Sequence, residues 1–163
     1  MTAQANNIQR VEMQFANASL LSEIVKIIAE GHTVTLLLRG YSMRPFLENE
    51  RDKALLTQAK ECRVGDAVLA EIAPGHYVLH RIIKIEGNQV TLKGDGNLGT
   101  EHCKLGDVKA LAIGFYRKGR KELDRTDGKK WKIYSAIWLF LSPIRRYLLA
   151  FYRRIWIPIF GTL

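Results

Sequence analysis

The stretch from His76 to Lys93 constrains this chain more than any other. It runs HYVLHRIIKIE, then Gly87-Asn88, then QVTLK. Two β-branched and aliphatic runs joined by a short Gly-Asn turn are the signature of an antiparallel hairpin. The sequence on either side is punctuated in the same way. Ala67 to Ile72 follows the turn pair Gly65-Asp66 and stops at Pro74-Gly75, and Val108 to Tyr116 follows Gly106-Asp107. His32 to Leu38 (HTVTLLL) and Ala54-Leu55-Leu56 are two further strand candidates, and Gly94-Asp95-Gly96-Asn97 predicts a tight loop. Only one early segment has helical spacing: Leu20, Leu21, Ile24, Ile27 and Ile28, with Ser19 or Asn17 to cap it and Gly31 to end it. The expectation is a mainly β protein, an antiparallel sheet closed on itself or folded over.

A chain of 163 residues supports one domain with one real core. Its charge divides it further. Residues 1–116 carry 13 bases and 13 acids, whereas 117–163 carry 12 bases and 3 acids, so the whole net charge of +9 belongs to the C-terminal part. Three units follow: a flexible lead over 1–17, a β-rich domain over 18–118, and a basic connector with an amphipathic tail over 119–163. Cys62 and Cys103 are compatible with a pair but form no disulfide framework. The first thirty residues carry acids among short apolar runs and no uninterrupted apolar stretch of signal-peptide length, so no secretory signal is expected and the cytoplasmic side is the default.

Ser42 is the first candidate for chemistry. It sits in Gly40-Tyr41-Ser42-Met43-Arg44-Pro45, between a buried strand candidate and a proline that restricts Arg44. A serine hydroxyl is a weak nucleophile unless a base takes its proton, and neutral imidazole is well matched to that task. His80 lies in the long hairpin strand, where alternation puts Val78, His80 and Ile82 on one face and Tyr77, Leu79 and Arg81 on the other. An imidazole base needs a third group to fix its tautomer. Asp95 and Glu101 both follow the hairpin and either can supply it. No cofactor and no metal are implied.

These motifs have an order: GYSMRP, Gly65-Asp66 before a strand, His80-Arg81-Ile82, then Lys93-Gly94-Asp95-Gly96-Asn97. Over residues 31–118 that order resembles type I signal peptidases, and within them the endoplasmic-reticulum and archaeal-like branch that has histidine where bacterial enzymes have lysine. The resemblance implies a β-rich serine endopeptidase fold shared with the self-cleaving SOS repressors. It implies Ser42 as nucleophile, His80 as general base, and Asp95 or Glu101 as the orienting acid. Family members often carry Ser-Gly before the nucleophile where this chain has Gly40-Tyr41, so the oxyanion hole would rest on backbone N–H groups.

Beyond Lys132 the chain is rich in Trp, Tyr, Phe, Ile and Arg. On a single helical wheel Tyr134, Ile137, Leu141, Ile144, Leu148, Phe151 and Ile155 share one side, opposite Ser135, Ser142, Arg146 and Arg153. Four arginines disfavour a span, so an in-plane helix bent at Pro143 is expected to meet a membrane surface through residues 131–160. The alternative is packing on the protein's own core or on a partner. No nucleic-acid face is expected. Taken together, the expectations are a serine endopeptidase acting on a peptide or protein precursor, peripherally membrane-associated, or else a non-catalytic β-rich binding or regulatory module at a membrane surface.

Overall fold

The computed structural model describes residues 18–163. The expected lead over 1–17, and Asn17 as a cap, lie outside the described residues. Helix α1 (Ala18–Ala29) buries Ile24 and Ile28, four residues apart and so on one face. It ends where expected: Gly31 takes φ 98°, its N–H meets the Ile28 carbonyl at 3.0 Å and the His32 N–H meets that of Ile27 at 3.3 Å. This is a Schellman closure, and its left-handed position favours glycine.

The strands are β1 (Val34–Leu37), β2 (Lys53–Gln58), β3 (Ala67–Ala73), β4 (His76–Glu86), β5 (Gln89–Lys93), β6 (Glu101–Lys104), β7 (Val108–Tyr116) and β8 (Asp124–Arg125). All pair antiparallel, in the spatial order β1-β2-β7-β3-β4-β5-β6, with β8 added to β7. Among the described residues no ladder joins β1 to β6, so the sheet is open; of the two expected forms, the closed one is not what the chain adopts. Strands β6 and β8 were not expected. Glu101-His102-Cys103-Lys104 lacks an alternating apolar pattern, and β8 has two residues, too few to carry a period.

The sheet is folded around two cores. Strand β3 is buried on both faces, which is why Ala67-Val68-Leu69-Ala70 is continuously apolar. Ala67 and Leu69 join Ile24, Ile28, Leu56, Phe115 and Trp131 on one side. Val68 and Ala70 join Ile82, Val90, Leu92 and Cys103 on the other, so β6 curls back toward β3. A register shift between Ile82 and Lys84 interrupts the β4–β5 ladder, a bulge that sharpens this curl. Cys62 and Cys103 are both free thiols.

The tail departs from the single wheel. Helix α2 (Lys129–Phe140) is followed by a 3-10 turn at Ser142–Ile144 containing Pro143, then α3 (Arg145–Phe151), a π turn at Tyr152–Trp156, and α4 (Ile157–Phe160). Each break resets the helical phase, so no single wheel describes 31 residues. The buried face is Trp131, Ser135, Trp138, Arg145, Leu149 and Tyr152, while Tyr134 stacks on Phe46 and Trp131 meets Phe115 with ring centroids 4.9 Å apart. Ser135, expected on the polar side, faces inward, and Ile137, Ile144, Phe151 and Ile155 face out. The tail therefore packs on its own domain with one face and leaves an apolar face uncovered.

Candidate active site

Ser42 sits in the loop between β1 and β2. Gly40 enters it at φ 91°, and Met43 and Leu47 anchor it by burying their side chains in the first core. Polar bonds brace the same loop. Arg44 grips Glu48 through Nε–Oε2 at 2.8 Å and Nη2–Oε1 at 2.6 Å, a bidentate pair with defined orientation. The Glu48 N–H then donates to the buried Asp52 carboxylate at 2.9 Å. Burial works against charge on Asp52, but its hydrogen bonds from Arg51 and from the Glu48 backbone, with the Arg51 charge, hold its pKa below the ordinary carboxylate value. The Arg44–Pro45 peptide is cis.

The Gly94–Asn97 loop lies directly on the serine loop. The Gly96 N–H donates to the Ser42 carbonyl at 2.7 Å. A Cβ at Gly94 would collide with that same carbonyl, and one at Gly96 would lie 2.7 Å from the Tyr41 carbonyl. The two loops touch backbone to backbone, so both glycines of Lys93-Gly94-Asp95-Gly96-Asn97 are required by contact.

His80 is buried on β4, 3% exposed. Its Nδ1 lies 2.7 Å from Glu101 Oε2. Glu101 opens β6, two strands away in the register Ile82–Leu92–Glu101, and the curl of the sheet brings it to His80. A carboxylate only accepts, so Nδ1 carries the proton in neutral His80 and Nε2 is left as an acceptor. Ser42 and His80 line one cavity of about 160 Å³, walled also by Leu38, Met43, Leu47, Tyr77 and Leu79. No hydrogen bond joins the Ser42 hydroxyl to the His80 ring. The Ser42 N–H also has no hydrogen-bond partner among the described residues, whereas the Gly40 N–H is taken by Asn49 Oδ1 at 2.8 Å.

Asp95 is placed elsewhere. Arg81, on the opposite face of β4 from His80, binds it through Nε–Oδ1 at 2.9 Å and Nη2–Oδ2 at 2.7 Å. The Tyr134 hydroxyl donates to Oδ2 at 2.8 Å, and the Trp138 indole N–H donates to the Asp95 carbonyl at 3.2 Å. The other end of Arg81 donates to the Gly65 carbonyl at 2.7 Å and to the Ser135 hydroxyl. Burial disfavours the Arg81 charge, but the Asp95 carboxylate more than offsets that and raises its pKa. Burial first, and then the Asp95 charge, push the Tyr134 phenol well above its usual range. Arg153 adds a bond from Nη2 to the Gly96 carbonyl at 2.7 Å. Of the two acids singled out from sequence, Glu101 reaches the histidine and Asp95 ties the loop to the tail.

Sequence reasoning missed the tail's part in this arrangement. Arg81 was visible on the opposite face from His80, but nothing local in the chain signals that Tyr134, Ser135 and Trp138 meet it. Among the described residues no group of three or more His, Cys, Asp or Glu side chains could hold a metal ion. No protein-family model matches the chain, and no curated protein matches it.

Proposed function

We propose that this chain is a serine endopeptidase of the signal peptidase type, cleaving a peptide or protein precursor through an acyl-enzyme. The observation that carries this reading is the 2.7 Å contact of His80 Nδ1 with Glu101 in a cavity shared with Ser42. Glu101 holds the tautomer in which Nε2 can accept the Ser42 proton. Ser42 Oγ attacks the scissile carbonyl carbon, and His80 takes the proton as the C–O bond forms. His80 returns it to the leaving amine as the C–N bond breaks; water, deprotonated by the same imidazole, then adds to the acyl carbon, and as the bond to Ser42 Oγ breaks the imidazolium gives that proton back to Oγ, releasing the carboxylic acid product. The unpartnered Ser42 N–H is the backbone donor available to the oxyanion. The order of the four sequence motifs supports the same reading, and the cavity wall, apolar at Leu38, Met43, Leu47 and Leu79 and polar at Arg39 and Glu48, offers both kinds of contact to a peptide.

A second reading has a specific observation in its favour. The Ser42 hydroxyl makes no hydrogen bond to His80, as befits a β-rich module that binds peptide without cleaving it. In substrate-free sites the nucleophile–base bond is often long, which is why the peptidase reading comes first. Mass-spectrometric profiling of a peptide library with wild type, Ser42→Ala and His80→Ala separates the two. Wild type is expected to cut defined sequences and both variants to leave them intact. Cleavage that persists in Ser42→Ala removes the peptidase reading, and peptide capture without cleavage by all three establishes the binding module.

A further inference from the structure

The inner face of the tail is accounted for by its packing on the domain, and the outer face is not. Of the fourteen large apolar side chains left exposed among the described residues, ten lie between Ile133 and Leu163. Singly scattered exposed apolar residues need no explanation, but a concentration of this kind marks an interaction surface. In α2 the stripe runs through Ile137 and Phe140, which is 82% exposed, and past the bend it continues through Ile144, Phe151 and Ile155. Ile137 and Phe140, three residues apart, share one side of α2, and each segment after it adds an exposed apolar residue of its own: Ile144 in the 3-10 turn, Phe151 in α3 and Ile155 in the π turn.

The charge of the same segment says what covers this stripe. Residues 128–163 contain seven bases and no acid, and Arg146 and Arg154 are exposed beside the apolar positions. Among the described residues no helix is long and apolar enough to cross a membrane, and Arg145, Arg146, Arg153 and Arg154 would put charge into the hydrocarbon of any span drawn through them. A second copy of this chain would bring two acid-free, seven-base segments together, which electrostatics opposes. A nucleic acid would meet isoleucine and phenylalanine where it needs bases.

We propose that the C-terminal tail docks the protein in the plane of an anionic lipid bilayer. The stripe from Ile137 to Ile155 enters the acyl boundary, and the flanking arginines meet the headgroups. The opposite face of the same helices stays on the domain, where Tyr134, Trp138 and Arg153 hold the Gly94–Asn97 loop. Docking stands independently of the reaction at Ser42, because its determinants lie on the other side of the tail.

Flotation of the full chain with vesicles of phosphatidylcholine, with and without phosphatidylglycerol, tests it. Wild type is expected to float with the phosphatidylglycerol vesicles, several-fold less with phosphatidylcholine alone, and to be released in part by added salt. Phe140→Ser with Phe151→Ser removes exposed side chains only, so its near-ultraviolet circular dichroism should match wild type while flotation falls at least several-fold. Arg146→Gln with Arg154→Gln should lose the dependence on phosphatidylglycerol and salt. Wild type that stays in the dense fraction with phosphatidylglycerol vesicles overturns the proposal. So does flotation unchanged by the paired phenylalanine substitutions. A wild-type dimer in light scattering that the phenylalanine variant converts to monomer, without vesicle binding, assigns the stripe to a second copy instead.

Discussion

His80 and Arg81 are neighbours in β4, and each is a basic side chain bound to one acid from beyond the hairpin. The two pairs are otherwise unlike. Arg81 and Asp95 are fully buried; both carboxylate oxygens are bonded by the guanidinium, and Tyr134 adds a third donor. His80 and Glu101 share a single bond, and the Glu101 side chain is 29% exposed. An ion pair saturated in this way holds geometry. An imidazole with one nitrogen bound and the other left as an acceptor, in a cavity it shares with Ser42, is what the proposed proton transfer requires. One strand thus carries an architectural pair on one face and a candidate chemical pair on the other, told apart by burial and by how many acceptor sites are filled.

The largest effect expected from this contrast is on stability. Asp95→Ala leaves Arg81 buried with its charge uncompensated, and breaking such a pair costs about 3–5 kcal/mol. Urea unfolding followed by tryptophan fluorescence should show that loss. Replacing both partners, Arg81→Met with Asp95→Leu, should recover part of it because no lone charge remains. If Asp95→Ala unfolds at the wild-type midpoint, the pair does not hold the loop and the contrast with His80 collapses.

The second effect is on rate, and it sharpens the other side of the comparison. In Glu101→Gln the amide can donate to Nδ1, which moves the ring proton to Nε2 and leaves no acceptor for the Ser42 proton. General-base assistance of this kind contributes about 10²- to 10⁴-fold, so kcat/KM for a cleaved peptide should fall by at least about 10²-fold. The unfolding midpoint should hardly move, since Glu101 is partly exposed and makes one bond. A variant with unchanged kcat/KM would remove Glu101 from the chemistry.

What was legible in the chain follows from what is local. Helix α1 with its Gly31 ending, and the hairpin of β4 and β5, are written in apolar spacing and glycine punctuation, and they form over those residues. Strand β6 was not legible because only Cys103 of its four residues is buried. Ser42 and His80 stand out by chemical type, and alternation along β4 already separates His80 from Arg81. The choice between Asp95 and Glu101 could not be made, because it depends on which face of β4 each acid meets after the sheet has curled. Nor could the inner face of the tail be found: Trp131, Tyr134, Ser135 and Trp138 turn inward because Phe115, Phe46, Arg81 and Asp95 await them from distant parts of the chain.

The smallest expected effect bears on that inner face. Tyr134→Phe keeps the ring stacked on Phe46 but removes one of the three donors to the Asp95 carboxylate. Losing one hydrogen bond to a charged group costs about 1.5–3 kcal/mol, and Arg81 still satisfies both oxygens, so the lower end applies. The sign of its pH dependence follows from the raised phenol pKa. In the unfolded chain Tyr134 ionises near pH 10, whereas in the folded protein burial and Asp95 keep it protonated to higher pH. Its contribution is therefore complete below pH 10 and is lost as the pH climbs from there toward the folded value. Plotted as unfolding free energy against pH, the wild type should fall more steeply above pH 10 than Tyr134→Phe, with parallel curves below. Lysines titrate equally in both proteins, so the difference between the curves isolates the phenol. Coincident alkaline limbs would mean that Tyr134 is not held against Asp95 and that the tail grips the Gly94–Asn97 loop through Trp138 and Arg153 alone.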